Sequence, residues 1–279
     1  MKYTGLYITL KPDTADAEMA KDILISELAE VGFESFSETE NGLEAFVQTD
    51  LFDSTALPSE YLEEYAAAWH THDIEPENWN RTWEENYPPV EVDDQVYVYA
   101  HFHPERPEVK HRIKITPKMS FGTGHHATTE LVMRHQLETD FAGKTVMDMG
   151  TGTGILAILA HQLGASEISA SEIEDFALEN CHENFAENGM VQYRLFDART
   201  QPGPYGKFDI IIANITRNTL LAVQDEIAQS AKPGTILIIS GFYEPDRTDL
   251  EAAFAEHGFV EPVLKEKNQW ASIKFIKKT

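Results

Sequence analysis

The sequence predicts an α/β protein whose larger, C-terminal part is a doubly wound, mostly parallel sheet covered by helices on both faces. Two observations predict it. First, KTVMDMGTGTG (Lys144–Gly154) reads as a short buried strand running into Gly150, Gly152 and Gly154, and ILAILAHQLG then keeps Ile155, Ile158, Leu159 and Leu163 on one helical face. Strand, glycine loop and helix in that order open a Rossmann-like, nucleotide-binding sheet. Second, strand-like and helix-like segments alternate from there on, a pattern that calls for parallel strands joined by helices. A smaller α+β domain precedes this part.

In chain order, residues 3–10 alternate as a strand, and Asp13 or Thr14 suits the cap of the next helix. Met19, Ile23, Leu24, Leu28 and Val31 keep helical spacing, and Gly32 ends that helix. FESFSETENGLEAFVQTD predicts a hairpin turning at Asn41-Gly42, and a second helix is expected over Ser59–Trp69. The order β-α-β-β-α suggests a ferredoxin-like domain over residues 1–70. Residues 71–92 read as a linker anchored by Trp79 and Trp83, and residues 93–279 as the nucleotide-binding domain. That domain starts with strands in QVYVYAHF and HRIKITP, then a glycine-marked loop, FGTGHHATT, leading into the helix LVMRHQL. After the glycine loop come strands EISASEI, QYRLFDA, KFDIIIANI and TILIISGF, interleaved with helices over 175–188, 218–230 and 246–257. Two strands in close succession, about 260–266 and 271–276, predict an antiparallel pair at the sheet edge.

Charge is unevenly placed. The chain carries a net −25, and the first hundred residues hold 4 Lys+Arg against 23 Asp+Glu. Such a surface repels nucleic acid. A basic protein partner and simple solubility both account for it. No stretch approaches the ~20 apolar residues of a membrane span. The single cysteine, Cys181, excludes an internal disulfide and fits a reducing cytoplasm; a monomer is expected, although the sequence carries no signal of oligomeric state.

Ligands in such sheets bind outside the carboxyl ends of the strands. Those ends are Asp148-Met149-Gly150, Glu172, Asp197 and Asn214. Glu172 stands 22 residues after Gly150, where a carboxylate can accept from both hydroxyls of a ribose. Asp197 is placed for the amino edge of an adenine. The loop spacing is Gly-x-Gly-x-Gly rather than the Gly-x-Gly-x-x-Gly of dinucleotide binders, which suits a ligand without phosphates. S-adenosylmethionine fits that description, with Gly150 and Gly152 beneath it. A nicotinamide-dependent oxidoreductase is the alternative from another class. Asn214 is the candidate for positioning an amine, Thr129 for lying over the cofactor, and His126 remains open as a weak candidate general base. Adjacent His125 and His126 point apart, with no acidic or cysteine ligands at metal spacing, so no metal is expected.

Three segments, FGTGHHATT, DMGTGTGILAILA and FDIIIANI, together with NWNRTWEENYPPV, resemble the bacterial methyltransferases of ribosomal protein L11, over nearly the whole chain. The resemblance implies a class I methyltransferase fold with S-adenosylmethionine contacts at Thr129, Gly150, Glu172 and Asn214. It also implies multiple methylation of amino groups, the α-amine and lysines, on that ribosomal protein, with the acidic N-terminal domain recognising it. Another basic protein or a small molecule is the alternative acceptor. This chain departs from the commoner pattern in carrying Glu172 where Asp is usual, and Thr151 and Thr153 where Cys and Ser are usual.

Overall fold

The computed structural model describes residues 2–74, 84, 86–118 and 121–278. The chain forms two compact units, Met1–Asn86 and Tyr87–Thr279.

Among its described residues the first unit holds a four-stranded antiparallel sheet on which two helices are built. Its elements are β1 (Tyr3–Leu10), α1 (Ala17–Glu30), β2 (Ser35–Thr39), β3 (Gly42–Gln48), α2 (Ser59–Tyr65) and β4 (Ala66–Ile74), with strand order β2-β3-β1-β4. Alternation on β1 buries Leu6, Ile8 and Leu10 against Ala20, Leu24 and Leu28 of α1, while Met19 faces solvent. The cap of α1 is Asp16, which accepts from the Met19 amide at 3.1 Å, rather than Asp13 or Thr14. Thr14 is instead held in a turn by the Lys11 carbonyl. The hairpin turns one residue earlier than expected, at Glu40-Asn41, because Thr39 pairs with Gly42. Gly42 is already strand, and a Cβ there would overlap the Ile8 carbonyl on the neighbouring β1.

The larger difference is α2, which ends at Tyr65 instead of Trp69, and the next residues form β4. This strand pairs with β1 from Tyr3↔Ile74 to Leu10↔Ala66, so the expected boundary at residue 70 falls inside a strand. It is an edge strand exposed along most of its length, and therefore lacks the apolar alternation that marks half-buried strands. Of the connector, Trp79 and Trp83 lie outside the described residues, and Val90–Val92 is already strand β5 of the second unit.

In the second unit β5, β6 (Val96–Tyr99) and β7 (His111–Lys114) form a small sheet; Asp93 and Asp94, both at positive φ, make the β5–β6 turn. The main sheet has seven strands: β8 (Thr145–Met149), β9 (Glu167–Glu172), β10 (Arg194–Asp197), β11 (Phe208–Asn214), β12 (Ala231–Tyr243), β13 (Phe259–Lys267) and β14 (Trp270–Lys277). Their order is β10-β9-β8-β11-β12-β14-β13, parallel from β10 to β12 and antiparallel at the β14-β13 edge. The helices are α3 (Ala127–Leu137), α4 (Ile155–Gln162), α5 (Asp175–Glu187), α6 (Arg217–Ala222), α7 (Gln224–Ser230) and α8 (Arg247–Glu256). The single helix expected over 218–230 is thus two short ones meeting at Val223.

Strand β11 explains why the sheet is central. Ile210 and Ile212 enter one core with α4 and α5, while Ile211 and Ala213 enter the other with α6, α7 and α8. A strand buried on both faces has no use for a polar alternate residue. The chain leaves β8 toward β9 on one side and returns through β11 on the other, so the crevice between β8 and β11 is the topological switch point.

Candidate active site

A cavity of about 550 Å³ opens at that switch point, a size suited to a small molecule or cofactor. The glycine loop forms its floor. Gly150, Gly152 and Gly154 all take positive φ, which L side chains adopt at a cost. Packing requires them too: a Cβ on Gly150 would overlap the Ile215 side chain, and one on Gly152 the Phe121 carbonyl. The loop is tied to β9 by the Gly150 and Thr151 amides, which donate to the Ser171 carbonyl at 2.9 and 3.0 Å.

Glu172 ends β9 and is buried at the cavity wall. Its Oε2 accepts from the Gly152 amide at 2.9 Å and its Oε1 from the Ile173 amide at 2.7 Å. Oε1 also accepts from the Glu174 amide at 3.3 Å, so Oε2 is the oxygen that keeps a lone pair, and the carboxylate can hold the loop and still accept from a hydroxyl. The Glu side chain, the departure noted in the sequence, keeps a carboxylate within reach of the loop amide.

Asn214 ends β11 on the facing side. Its Nδ2 donates to Thr129 Oγ1 at 3.4 Å, and its Oδ1 is buried with no partner among the described residues. A buried amide oxygen left bare costs about 1–3 kcal/mol unless something donates to it. Thr129 is fully buried behind Asn214, and its neighbour Thr128 lines the cavity instead. The cap of α3 is His126, whose Nδ1 accepts from the Thr128 amide at 3.3 Å. Burial lowers the His126 pKa, which keeps the ring neutral and able to accept.

The FGTG loop closes one wall. The Thr153 amide donates to the Phe121 carbonyl at 3.0 Å, and Thr153 Oγ1 donates to the Gly122 carbonyl at 2.6 Å. Thr153, where Ser is usual, thus supplies the hydroxyl that docks this loop.

Asp197 stands apart from the other candidates. Ala198 lines the cavity and Asp197 does not. Its carboxylate is engaged by the Arg199 Nε and Nη2, each at 3.0 Å, and these bonds pull its pKa down to about 2. The signal for this was in the sequence, since Arg199 follows two residues later and Asp175 supplies its second acid. Asp148 was singled out only as a strand end. It lies fully buried under the loop, accepts from Thr151 Oγ1 at 2.6 Å, and burial pushes its pKa up to about 7. Trp270, Tyr205 and Gly241 also line the cavity, and sequence reading did not find them. Among the described residues no group of three His, Cys, Asp or Glu could hold a metal ion, and no helix is long and apolar enough to cross a membrane.

The family described as Ribosomal protein L11 methyltransferase (PrmA) matches residues 13–278. The chain belongs to this family. It is 38% identical over 285 residues to the ribosomal protein L11 methyltransferase of Phocaeicola vulgatus, covering 100% of both chains. It is 39% identical to that of Porphyromonas gingivalis, covering 99% of this chain and 98% of the relative. The crystal structure of a ribosomal protein L11 methylase from Lactobacillus delbrueckii subsp. bulgaricus superposes with a TM-score of 0.64 at 29% identity, over 69% of this chain and 100% of that one. The protein is therefore an enzyme of methyl transfer, with the α/β fold of such enzymes.

Proposed function

We propose that this protein transfers methyl groups from S-adenosylmethionine to amino groups of ribosomal protein L11. The bare Oδ1 of Asn214 carries the reading, because it is a buried acceptor waiting for a donor at the mouth of a cofactor-sized cavity. The residues fit the cofactor: Glu172 offers the remaining lone pair of Oε2 to a ribose hydroxyl, and Gly150 and Gly152 present backbone without side chains. When bound, S-adenosylmethionine supplies an electrophilic methyl group on a sulfonium.

The remaining work falls to the chain. An amine attacks only when neutral, and deprotonating a lysine at pH 7 costs about 4.6 kcal/mol against about 1 for an α-amine. Phe121, Ile215 and Trp270 along the cavity remove water from the amine, which disfavours its ammonium form. Asn214 Oδ1 accepts one N–H of the amine and thereby aims its lone pair. Thr129 fixes the amide in that orientation through the bond to Nδ2. No side chain need form a covalent intermediate. The N-terminal unit, in the acidic stretch of the chain, is the part that recognises the basic substrate in this reading.

The test is purified protein, labelled S-adenosylmethionine and ribosomal protein L11. Label on amino groups of that protein is expected. Label confined to ribosomal RNA would overturn the substrate assignment. Thermal stabilisation by NAD and not by S-adenosylhomocysteine would overturn the cofactor.

A further inference from the structure

We propose that an aromatic wall centred on Trp270 holds the acceptor nitrogen as methyl groups accumulate on it, and so sets how many an amine receives. The proposal rests on the methyl-transfer reading above. Trp270 opens β14 directly after Asn268 and Gln269, which both take positive φ and turn the β13–β14 hairpin tightly. Asn214, Ser240 and Ser272 align across β11, β12 and β14. Trp270 lies two residues before Ser272 on the antiparallel strand, so it stands beyond Asn214 on the carboxyl edge where ligands bind. Its indole stacks on Tyr243 with centroids 4.1 Å apart, and His126 meets it edge-on at 4.6 Å. Phe121 extends the row, 5.5 Å from His126. Phe121, His126 and Trp270 line the same cavity as Asn214.

Among the described lining residues the carboxylates are Glu172 and Glu226. Glu172 is bound to loop and strand-end amides, and Glu226 lies beside Gly203, toward Pro202 and Tyr205. Neither acid belongs to the wall around Trp270. A cation there meets aromatic rings.

Each transfer forms an N–C bond from the amine lone pair as the C–S bond breaks with its electrons going to sulfur. The new ammonium passes one proton to water before the next transfer. Every methyl also removes an N–H, so a primary amine has two donors for Asn214 and nearby carbonyls, a secondary amine one, and a tertiary amine none. Hydrogen bonding fades as methylation proceeds. An aromatic face needs no N–H: it attracts N-methyl groups by dispersion and the cation through its quadrupole.

The test compares Trp270→Leu and Trp270→Phe with the wild type. Mass spectrometry of ribosomal protein L11 over time should show the Leu variant adding the first methyl and accumulating mono- and dimethyl products that the wild type passes through. The Phe variant should restore the wild-type distribution. Calorimetry with Nε-trimethyllysine amide, on enzyme saturated with S-adenosylhomocysteine, should show affinity weakened about two- to thirtyfold in the Leu variant. A neutral tert-butyl isostere should lose less. An unchanged product distribution, or equal slowing of every methylation step, would overturn the proposal. So would an unchanged affinity for the trimethylated probe. No labelling of L11 by the wild type would instead refute the substrate reading, and the calorimetry would still judge the wall.

Discussion

Asp148 makes the stability of this fold depend on pH in a direction opposite to that of most paired carboxylates. Its side chain lies on β8 with no exposed surface, and burial raises its pKa to about 7. The Thr151 hydroxyl pulls the other way and the Glu172 carboxylate pushes further up. In the unfolded chain the group titrates near ~3.9. Between those values the folded state keeps a proton that the unfolded state has released, so stability falls as pH rises. About three units at ~1.36 kcal/mol each gives about 4 kcal/mol. The contribution is complete below pH 4 and gone above pH 7. Asp148→Asn cannot titrate. Its amide NH₂ must sit in a fully buried site, at a cost of about 1–3 kcal/mol that is the same at every pH. Urea unfolding of both proteins without cofactor, followed by circular dichroism from pH 4.5 to 8.5, isolates the effect as a difference. The wild type should be the more stable at pH 4.5 and the variant at pH 8.5. A difference that stays flat across that range would refute the reasoning.

Other substitutions test the site. Asn214→Ala should lower turnover by about 100-fold, the scale of lost positioning, while cofactor affinity measured by calorimetry stays close to wild type. Glu172→Ala should instead weaken cofactor affinity by tenfold or more, the scale of a lost charge-assisted hydrogen bond. Asp197→Asn should leave cofactor affinity near wild type, because the carboxylate is already committed to Arg199; a large loss would return it to the adenine. His126→Asn should keep stability and the first methyl transfer, since Asn caps a helix as well as any residue, although it takes one ring from the aromatic wall. His126→Ala should cost about 1 kcal/mol in urea unfolding. Loss of the first transfer in the Asn variant, with stability intact and a pH profile that has lost one limb, would make His126 a base as well as a cap.

Most of the second unit was legible because burial writes itself into sequence. FDIIIAN is apolar on both faces and could only be a central strand, and the glycine loop with its helix fixed the strand beside it. Glu172 was found by its offset from Gly150, an offset that the βα unit dictates. What escaped reading was local or distant. β4 is an exposed edge whose Ala-rich start favours helix as much as strand, and pairing with β1 decides it. Asp197 looked free because its place at a strand end outweighed the Arg199 two residues on, which takes up its carboxylate. Trp270 lies more than fifty residues beyond Asn214, and only the return of β14 alongside β12 brings it to the cavity.

The glycines carry the most instructive revision. Read alone, Gly150, Gly152 and Gly154 suggest room for a ligand. In the structure the direction a Cβ would take is already claimed by the protein at each, through Ile215, Phe121 and Phe185 in turn, while Gly150 and Gly152 still line the cavity. Ile215 follows Asn214 directly, and a Cβ on Gly241 of β12 would overlap the Ile215 carbonyl. The backbone that presents Asn214 is therefore seated between the cofactor loop and β12. Any Cβ added at Gly150 or Gly241 displaces the backbone beside Asn214 and the floor of the cavity together. Truncating Asn214 leaves that seating intact, and truncating Glu172 releases its hold on the Gly152 and Ile173 amides without forcing an atom into it, which is why side-chain deletions can separate binding from turnover and additions at the glycines cannot.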